Sequence, residues 1–166
     1  MTLREIQQPI KERYREDPAR AKVTLRATGQ AGDGAMACSV DLGRAIYAAA
    51  AHQGVGGAGS AACSGDLLLG ALAACAQLTC QMVAANMGLE GISIAVTVEG
   101  DVDLRGTLGN PDVPVGFEAI RVSFALTGEI ADDRRERLME RTERYCVVLQ
   151  TLIAPPMVEA TWEVAG

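Results

Sequence analysis

The chain has 166 residues, with 15 Lys and Arg against 21 Asp and Glu, and its formal net charge is −6. This length suits one domain, or a protomer that shares its core with a second copy. The acidic balance argues against a nucleic-acid or anionic-membrane binder, because such proteins present a basic face.

The N-terminal sequence and the cysteine count predict a cytoplasmic protein. Residues 1–17 are charged and lack the apolar core of a signal peptide, and no run of about 20 residues is apolar without interruption. The five cysteines are odd in number. In a reducing compartment they are expected to be core thiols, metal ligands or reactive groups rather than a disulfide framework.

The chain begins with a segment that predicts a helical arm. Residues 1–21 form this N-terminal arm, and residues 22–166 are expected to form a single domain. The apolar residues of the arm share one helical face, which Pro9 is expected to interrupt: Ile6, Ile10 and Tyr14. Such an arm often packs on a partner chain.

The next segments predict a sheet. Lys22–Thr28 and Ala35–Leu42 alternate apolar and polar residues around a turn at Gln30–Gly34, which predicts a β-hairpin. Arg44–Ala51 is a candidate third strand, although its alanines are ambiguous. His52–Ser60 is rich in glycine and predicts a loop.

The segment Asp66–Met87 predicts a long helix that is apolar on nearly every face. Asp66 lies near the expected N-cap, and Gly88 is a natural C-terminal stop. A helix of this kind must be buried on all sides. In a chain of this length a second copy has to supply part of the cover, so we expect a homodimer.

The remaining elements complete an α+β pattern with mainly antiparallel sheet. The predicted strands are Ile92–Glu99, Phe117–Leu126 and Val158–Val164, with a loop over Gly106–Gly116. The predicted helices are Asp132–Tyr145 and Cys146–Ile153. The first of these helices should face inward through one stripe: Leu138, Met139, Thr142 and Tyr145.

Two cysteines are candidates for chemistry. Cys75 lies among alanines in the apolar helix, and small neighbours let another element approach its sulfur. Cys146 follows Arg144 at a helix junction, where a helix N-terminus and guanidinium groups favour a thiolate. Both also suit plain core packing, since cysteine is often buried. The other cysteines are expected to be packing thiols: Cys38, Cys63 and Cys80.

Metal, cofactor and hydrolase alternatives have less support. No CxxC pair is present and the chain has one histidine, so no metal site is expected. The glycines of the loop at 54–57 lack dinucleotide-binding spacing, and no cofactor is expected. His52 is a possible supporting base for a cysteine hydrolase, but the sequence has no GxSxG motif.

The order of these motifs resembles the OsmC/Ohr family over residues 20–165. The resemblance rests on the strand pair, the Gly-rich loop, the helix motif LLLGALAAC that ends at Cys75, and RYCVVLQTL around Cys146. It implies an OsmC-like fold, in which mainly antiparallel sheets wrap around long buried central helices of an intertwined homodimer. It also implies peroxidase activity on organic hydroperoxides or hydrogen peroxide in oxidative-stress defence.

The resemblance matches Cys75 to the peroxidatic cysteine and Cys146 to the resolving cysteine, with an external dithiol as reductant. Peroxidase members carry a Glu ten residues before the first cysteine, where this chain has Gly65 with Asp66 beside it. They also carry an Arg in the first hairpin turn, where this chain has Gly32 and Asp33.

Other residues are therefore predicted to support Cys75. Asp66 is a candidate for the missing acid, and the candidate cations lie elsewhere in the chain: Arg13, Arg15, Arg44 and Arg144. The second motif reads Cys-Val-Val, where the family often has Cys-Pro. The alternative is an OsmC-fold protein that binds a small apolar ligand at the dimer interface and has little peroxidase activity.

Overall fold

The computed structural model describes residues 3–22, 24, 27–31, 37–42 and 45–164. Helix α1 (Leu3–Glu16) and a 3-10 helix (Pro18–Ala21) occupy most of the predicted arm. Helix α1 continues through Pro9, so the expected interruption is wrong. The helix is mostly exposed, and water can satisfy the carbonyl that proline leaves unpaired. The division between arm and domain stays a prediction.

The first sheet has the antiparallel order β1 (Thr28–Ala31), β2 (Ala37–Asp41), β3 (Ile46–Ala50). The predicted hairpin and third strand are confirmed. Of the predicted first strand, Lys22–Thr28, only Thr28 belongs to β1. Lys22 closes the preceding 3-10 helix with its backbone N–H, and residues 23, 25 and 26 lie outside the described residues. The predicted turn at Gln30–Gly34 is wrong at its start, because Gln30 and Ala31 belong to β1, and its residues 32–34 lie outside the described residues.

Helix α2 (Ser64–Asn86) lies against the second sheet, an antiparallel hairpin of β4 (Ser93–Val102) and β5 (Phe117–Thr127). Apolar side chains alternate along both strands, and those on one face pack against α2: Ile94, Val96, Val98, Ile120, Val122, Phe124 and Leu126. A short helix α3 (Leu104–Thr107) lies in the connection that was predicted as a loop. The strict alternation therefore places one face of the sheet under the long helix.

Helices α4 (Asp132–Tyr145) and α5 (Val147–Ile153) cover a further side of α2. The predicted inward stripe of α4 is half wrong: Leu138 and Thr142 are buried, but Met139 and Tyr145 are exposed. Residues four apart follow one line along a helix, whereas Met139 is turned about 100° away from Leu138. The contact with α2 is therefore narrower than the predicted stripe.

Helix α2 is buried on one face only within a single chain. Its buried residues follow one side of the helix: Leu72, Ala76, Thr79, Cys80, Val83 and Ala84. Leu68, Leu78 and Met82 are exposed on other sides. By length and composition this helix could cross a membrane, with a mean hydropathy of 1.7 over 18 residues, but core helices of soluble domains share these properties.

The predicted last strand, Val158–Val164, is wrong for the single chain. This segment has no regular structure, and the side chains of Trp162 and Val164 are 93% and 95% exposed. Alternation gives a segment the pattern of a strand, but a strand also needs a neighbouring edge to pair with. Within the described part of this chain, no strand pairs with it.

Candidate thiol site between α2 and α5

The structure brings Cys75 and Cys146 together. Cys75 is half-buried on α2, and Cys146 is fully buried at the junction of α4 and α5. Both belong to one apolar cluster with Leu72 and Ala76, which lies between α2, α5 and the β4–β5 sheet. Each thiol is among the groups that shift the pKa of the other. Two cysteines far apart in sequence thus meet inside the core.

Burial is the largest influence on the pKa of Cys75, and alone it would raise that pKa. Hydrogen bonds to the thiolate outweigh burial: they come, in decreasing effect, from the Val148 N–H, the Cys146 thiol, the Thr79 hydroxyl and the Val147 N–H. The pKa of Cys75 therefore lies below its ordinary value of 9.0. Donors that favour the charged form are a recognised cause of such a shift.

The N-terminus of α5 supplies two of these donors. Cys146 is both the C-cap of α4 and the N-cap of α5, so the first backbone N–H groups of α5 follow it directly. The first N–H groups of a helix have no partner inside the helix. Those of Val147 and Val148 act on the Cys75 sulfur.

The pKa of Cys146 is shifted in the opposite direction, above its ordinary value. Burial, its largest influence, raises the pKa of Cys146, and the neighbouring Cys75 raises it further, against the Leu149 and Val148 N–H groups. Cys75 is therefore the thiol that ionises first, while Cys146 keeps its proton and donates it in the hydrogen bond. The pair has one nucleophile and one neutral thiol.

Thr79 is a member of this site that the sequence analysis missed. Its hydroxyl oxygen lies 4.0 Å from the Cys75 sulfur, and its side chain is buried. Its spacing from Cys75 could have indicated it, because residues four apart on a helix are neighbours on one face.

Asp66 lies in the first turn of α2, on the opposite side of the helix from Cys75, and it caps the helix. Its Oδ2 accepts the Cys63 backbone N–H at 2.8 Å. Hydrogen bonds from the Cys63 backbone and then from its thiol hold the pKa of Asp66 below its usual value of 3.8. Nine residues of helix place Asp66 about 13 Å from Cys75. The predicted role near the N-cap is confirmed, as the N3 acid of a capping box.

His52 and Arg144 are not placed beside the thiols. The His52 Nδ1 accepts the Gly54 N–H at 3.0 Å and caps a short 3-10 helix. His52 and Asp66 both line a cavity of about 540 Å³, and Cys75 is not among the residues that line it. Arg144 is exposed and lies 5.6 Å from the ring centre of Tyr145.

None of the described arginines that were candidate cations is among the groups that shift the pKa of Cys75. Arg44, another candidate, lies outside the described residues. The described cysteine side chains are free thiols: Cys63, Cys75, Cys80 and Cys146. Among the described residues, no three His, Cys, Asp or Glu side chains form a metal-binding group.

Fold and site together define an α+β protein with a pair of interacting thiols under a long core helix. The profile of the family described as OsmC-like protein matches residues 57–161, and the chain belongs to that family. No curated protein sequence matches the chain significantly.

Solved structures share this fold at low sequence identity. An OsmC-like protein from Mycoplasma pneumoniae superposes with a TM-score of 0.65 at 13% identity, over 81% of this chain and 90% of that one. An organic hydroperoxide resistance protein OsmC from Legionella pneumophila gives 0.57 at 20% identity, over 80% and 90%. The organic hydroperoxide resistance protein OhrB of Bacillus subtilis gives 0.51 at 18%, over 80% and 93%.

Proposed function

We propose that this protein is a cytoplasmic thiol peroxidase of oxidative-stress defence, which reduces organic hydroperoxides or hydrogen peroxide. The observation that carries the proposal is the contact of Cys75, with its lowered pKa, with the protonated thiol of Cys146. The names of the Legionella and Bacillus relatives point to the same chemistry.

The proposed cycle uses both thiols. The Cys75 thiolate attacks one peroxide oxygen, the O–O bond breaks, and the leaving alkoxide takes a proton to become the alcohol. Cys75 is now a sulfenic acid. The Cys146 sulfur attacks it, water leaves and a disulfide forms. An external dithiol then reduces the disulfide by two exchange steps and is itself oxidised to a disulfide.

The α5 N-terminus takes the role expected of a cation in this cycle. The Val147 and Val148 N–H groups point partial positive charge at the Cys75 sulfur. The apolar side chains around the pair include Val98, Val148 and Leu152, and they suit the carbon body of an organic hydroperoxide.

A homodimer is part of the proposal. Proteins of this family are typically homodimers, and the exposed Leu78 and Met82 of α2 need cover. A second copy is the proposed cover, because the chain itself leaves this face open. The exposed segment around Trp162 is a further candidate for the same interface. No membrane or nucleic acid is a proposed partner.

Substitution of Cys146 by serine tests the two-thiol cycle. We expect the variant to turn over much more slowly than the wild type, because no disulfide forms within the chain and the dithiol must attack the half-buried Cys75 sulfenic acid directly. Mass spectrometry should show Cys75 as a sulfenic acid, and as a sulfinic acid under excess peroxide. Cys63→Ser is the matched control, since Cys63 lies outside the thiol cluster. Full turnover in Cys146→Ser would contradict the cycle.

Substitution of Thr79 by valine tests the activation of Cys75. Valine keeps the shape but removes a hydrogen bond that lowers the pKa of Cys75. The pKa should rise, so the rate of Cys75 oxidation at pH 7 should fall severalfold and the pH profile should shift upward. Stopped-flow measurement of oxidation against pH checks this. Thr97→Val, an exposed change on β4, should leave the profile in place.

The second candidate function is binding of a small apolar ligand with little peroxidase chemistry. The observation in its favour is that no described cation acts on Cys75. Titration of the native protein with a thiol reagent separates the two functions. A Cys75 that reacts only above pH 9 favours ligand binding, whereas reaction at lower pH favours the peroxidase.

A further inference from the structure

The two thiols of the site are a pair of sulfur ligands supplied by one chain. Cys75 lies on α2 and Cys146 at the junction of α4 and α5, and both belong to the apolar cluster around Leu72 and Ala76. Both are free thiols, and each lies close enough to shift the pKa of the other. Because α2, α4 and α5 belong to the same chain, the pair is complete in a single chain and stays complete in a homodimer.

The surroundings of the pair limit the number of ligands that a metal ion would find there. Among the described residues, no group of three or more His, Cys, Asp or Glu side chains is placed to hold a metal ion. The partly buried side chains packed on the cluster are apolar apart from Cys75: Val96, Val98, Ile120, Val122, Phe124, Val148, Leu149 and Leu152. Zn²⁺ in proteins takes four ligands, whereas the soft Cu⁺ ion is stable between two thiolates in a linear arrangement. A pair with no third ligand therefore suits Cu⁺.

The charge of such a complex also suits the site. A Cu⁺ ion that displaces two thiol protons gives a complex with one net negative charge, which is the charge of a single thiolate. The N–H groups of Val147 and Val148 and the hydroxyl of Thr79 favour negative charge on the Cys75 sulfur. The apolar side chains around the pair limit the access of water, which would otherwise complete a larger coordination shell.

We propose that Cys75 and Cys146 bind one Cu⁺ ion as a linear complex of two thiolates. Two S–Cu bonds form, two S–H bonds break, both protons go to solvent, and no electron is transferred. Zinc motifs such as CxxC pairs belong to sites with three or four protein ligands, so their absence from the sequence does not bear on a site with two. This binding is additional to the proposed peroxidase and does not depend on it.

Anaerobic titration of the reduced full chain with Cu⁺ tests the proposal, with bicinchoninate as the competing chelator. We expect the chain to take one Cu⁺ from the chelator and to bind Zn²⁺ far more weakly. X-ray absorption should show two sulfur neighbours for each bound copper. Failure to compete with the chelator, a preference for Zn²⁺, or three or more sulfur neighbours would overturn the proposal.

Variants locate the bound ion. Cys75→Ser and Cys146→Ser should each weaken Cu⁺ binding by more than about a hundredfold, because even the outer-shell partners of a metal site are worth about 10–100-fold. Cys63→Ser is the matched control, since Cys63 is half-buried like Cys75 but lies outside the cluster. Unchanged affinity in the folded Cys75→Ser variant, or an equal loss in Cys63→Ser, overturns the proposal. Circular dichroism checks folding, and Cys75→Ser decides alone if Cys146→Ser does not fold.

Bound copper should also close the pair to other chemistry. We expect it to protect Cys75 from alkylation by iodoacetamide, and alkylation at the rate of the copper-free chain contradicts the proposal. A copper-loaded chain should reduce no hydroperoxide, because both sulfurs of the proposed cycle are occupied. Only this last consequence rests on the proposed function. The affinity and the sulfur count are measured without peroxide, so failure of the copper site and failure of the peroxidase are distinguishable.

Discussion

Replacement of Cys75 by serine is expected to abolish hydroperoxide reduction supported by a dithiol. A serine hydroxyl ionises far less readily than a thiol, and oxygen cannot form the sulfenic acid or the disulfide of the proposed cycle. We expect the turnover rate to fall by about a thousandfold or more, to the level of the free dithiol. Consumption of tert-butyl hydroperoxide at pH 7, in the presence of excess dithiol, measures it.

The controls for this experiment come from the same chain. Cys63→Ser should retain the wild-type rate, because Cys63 lies at the N-terminus of α2 and not in the thiol cluster. Circular dichroism should show Cys75→Ser folded, since serine is smaller than cysteine and Cys75 is only half-buried. If the folded Cys75→Ser variant kept its activity, the peroxidase proposal would fail.

Replacement of Leu138 by alanine is expected to give the largest loss of stability. Leu138 is 0% exposed and joins α4 to Cys80, Val83 and Ala84 of α2 in one buried cluster. Removal of its isobutyl group leaves a cavity, and such changes cost about 2–5 kcal/mol. That is a large share of the free energy of unfolding of a typical folded protein, which is roughly 5–15 kcal/mol. Urea unfolding should show the midpoint moving to lower denaturant.

The matched control is Glu136→Ala, an exposed position on the same helix. Its free energy of unfolding should change by less than about 0.5 kcal/mol. A loss below about 1 kcal/mol in Leu138→Ala would mean that the α2–α4 contact tolerates the cavity by collapse. The role given to Leu138 in the core would then be wrong.

Strong periodicity made part of the fold predictable. The alternating segment around Val96 and the charged helix Asp132–Tyr145 appear in the structure, the helix with the predicted bounds. The terminal segment Val158–Val164 has the same alternation, but in the single chain it has no edge to pair with. Local pattern determines what a segment can form, while pairing depends on a surface elsewhere.

The sequence could predict only those parts of the site whose side chains have recognisable chemistry, which are the two cysteines. Cys75 and Cys146 were candidates from their local sequence, and the resemblance gave them their roles, but their meeting is a tertiary contact that spacing cannot give. The sequence analysis sought a cation for Cys75 among arginines. It missed the Val147 and Val148 N–H groups, because every residue has such a group and only the fold aims two of them at one sulfur.

The origin of these two donors has a consequence for how the protein can vary. A peptide N–H is present whatever side chain the residue carries, proline excepted, so substitutions at 147 and 148 leave the donors in place. A dipole that acts at short range on a half-buried sulfur is also less affected by dissolved ions than a distant surface charge is. The pKa of Cys75 should therefore change little when the side chains at 147 and 148 are substituted or when the salt concentration changes.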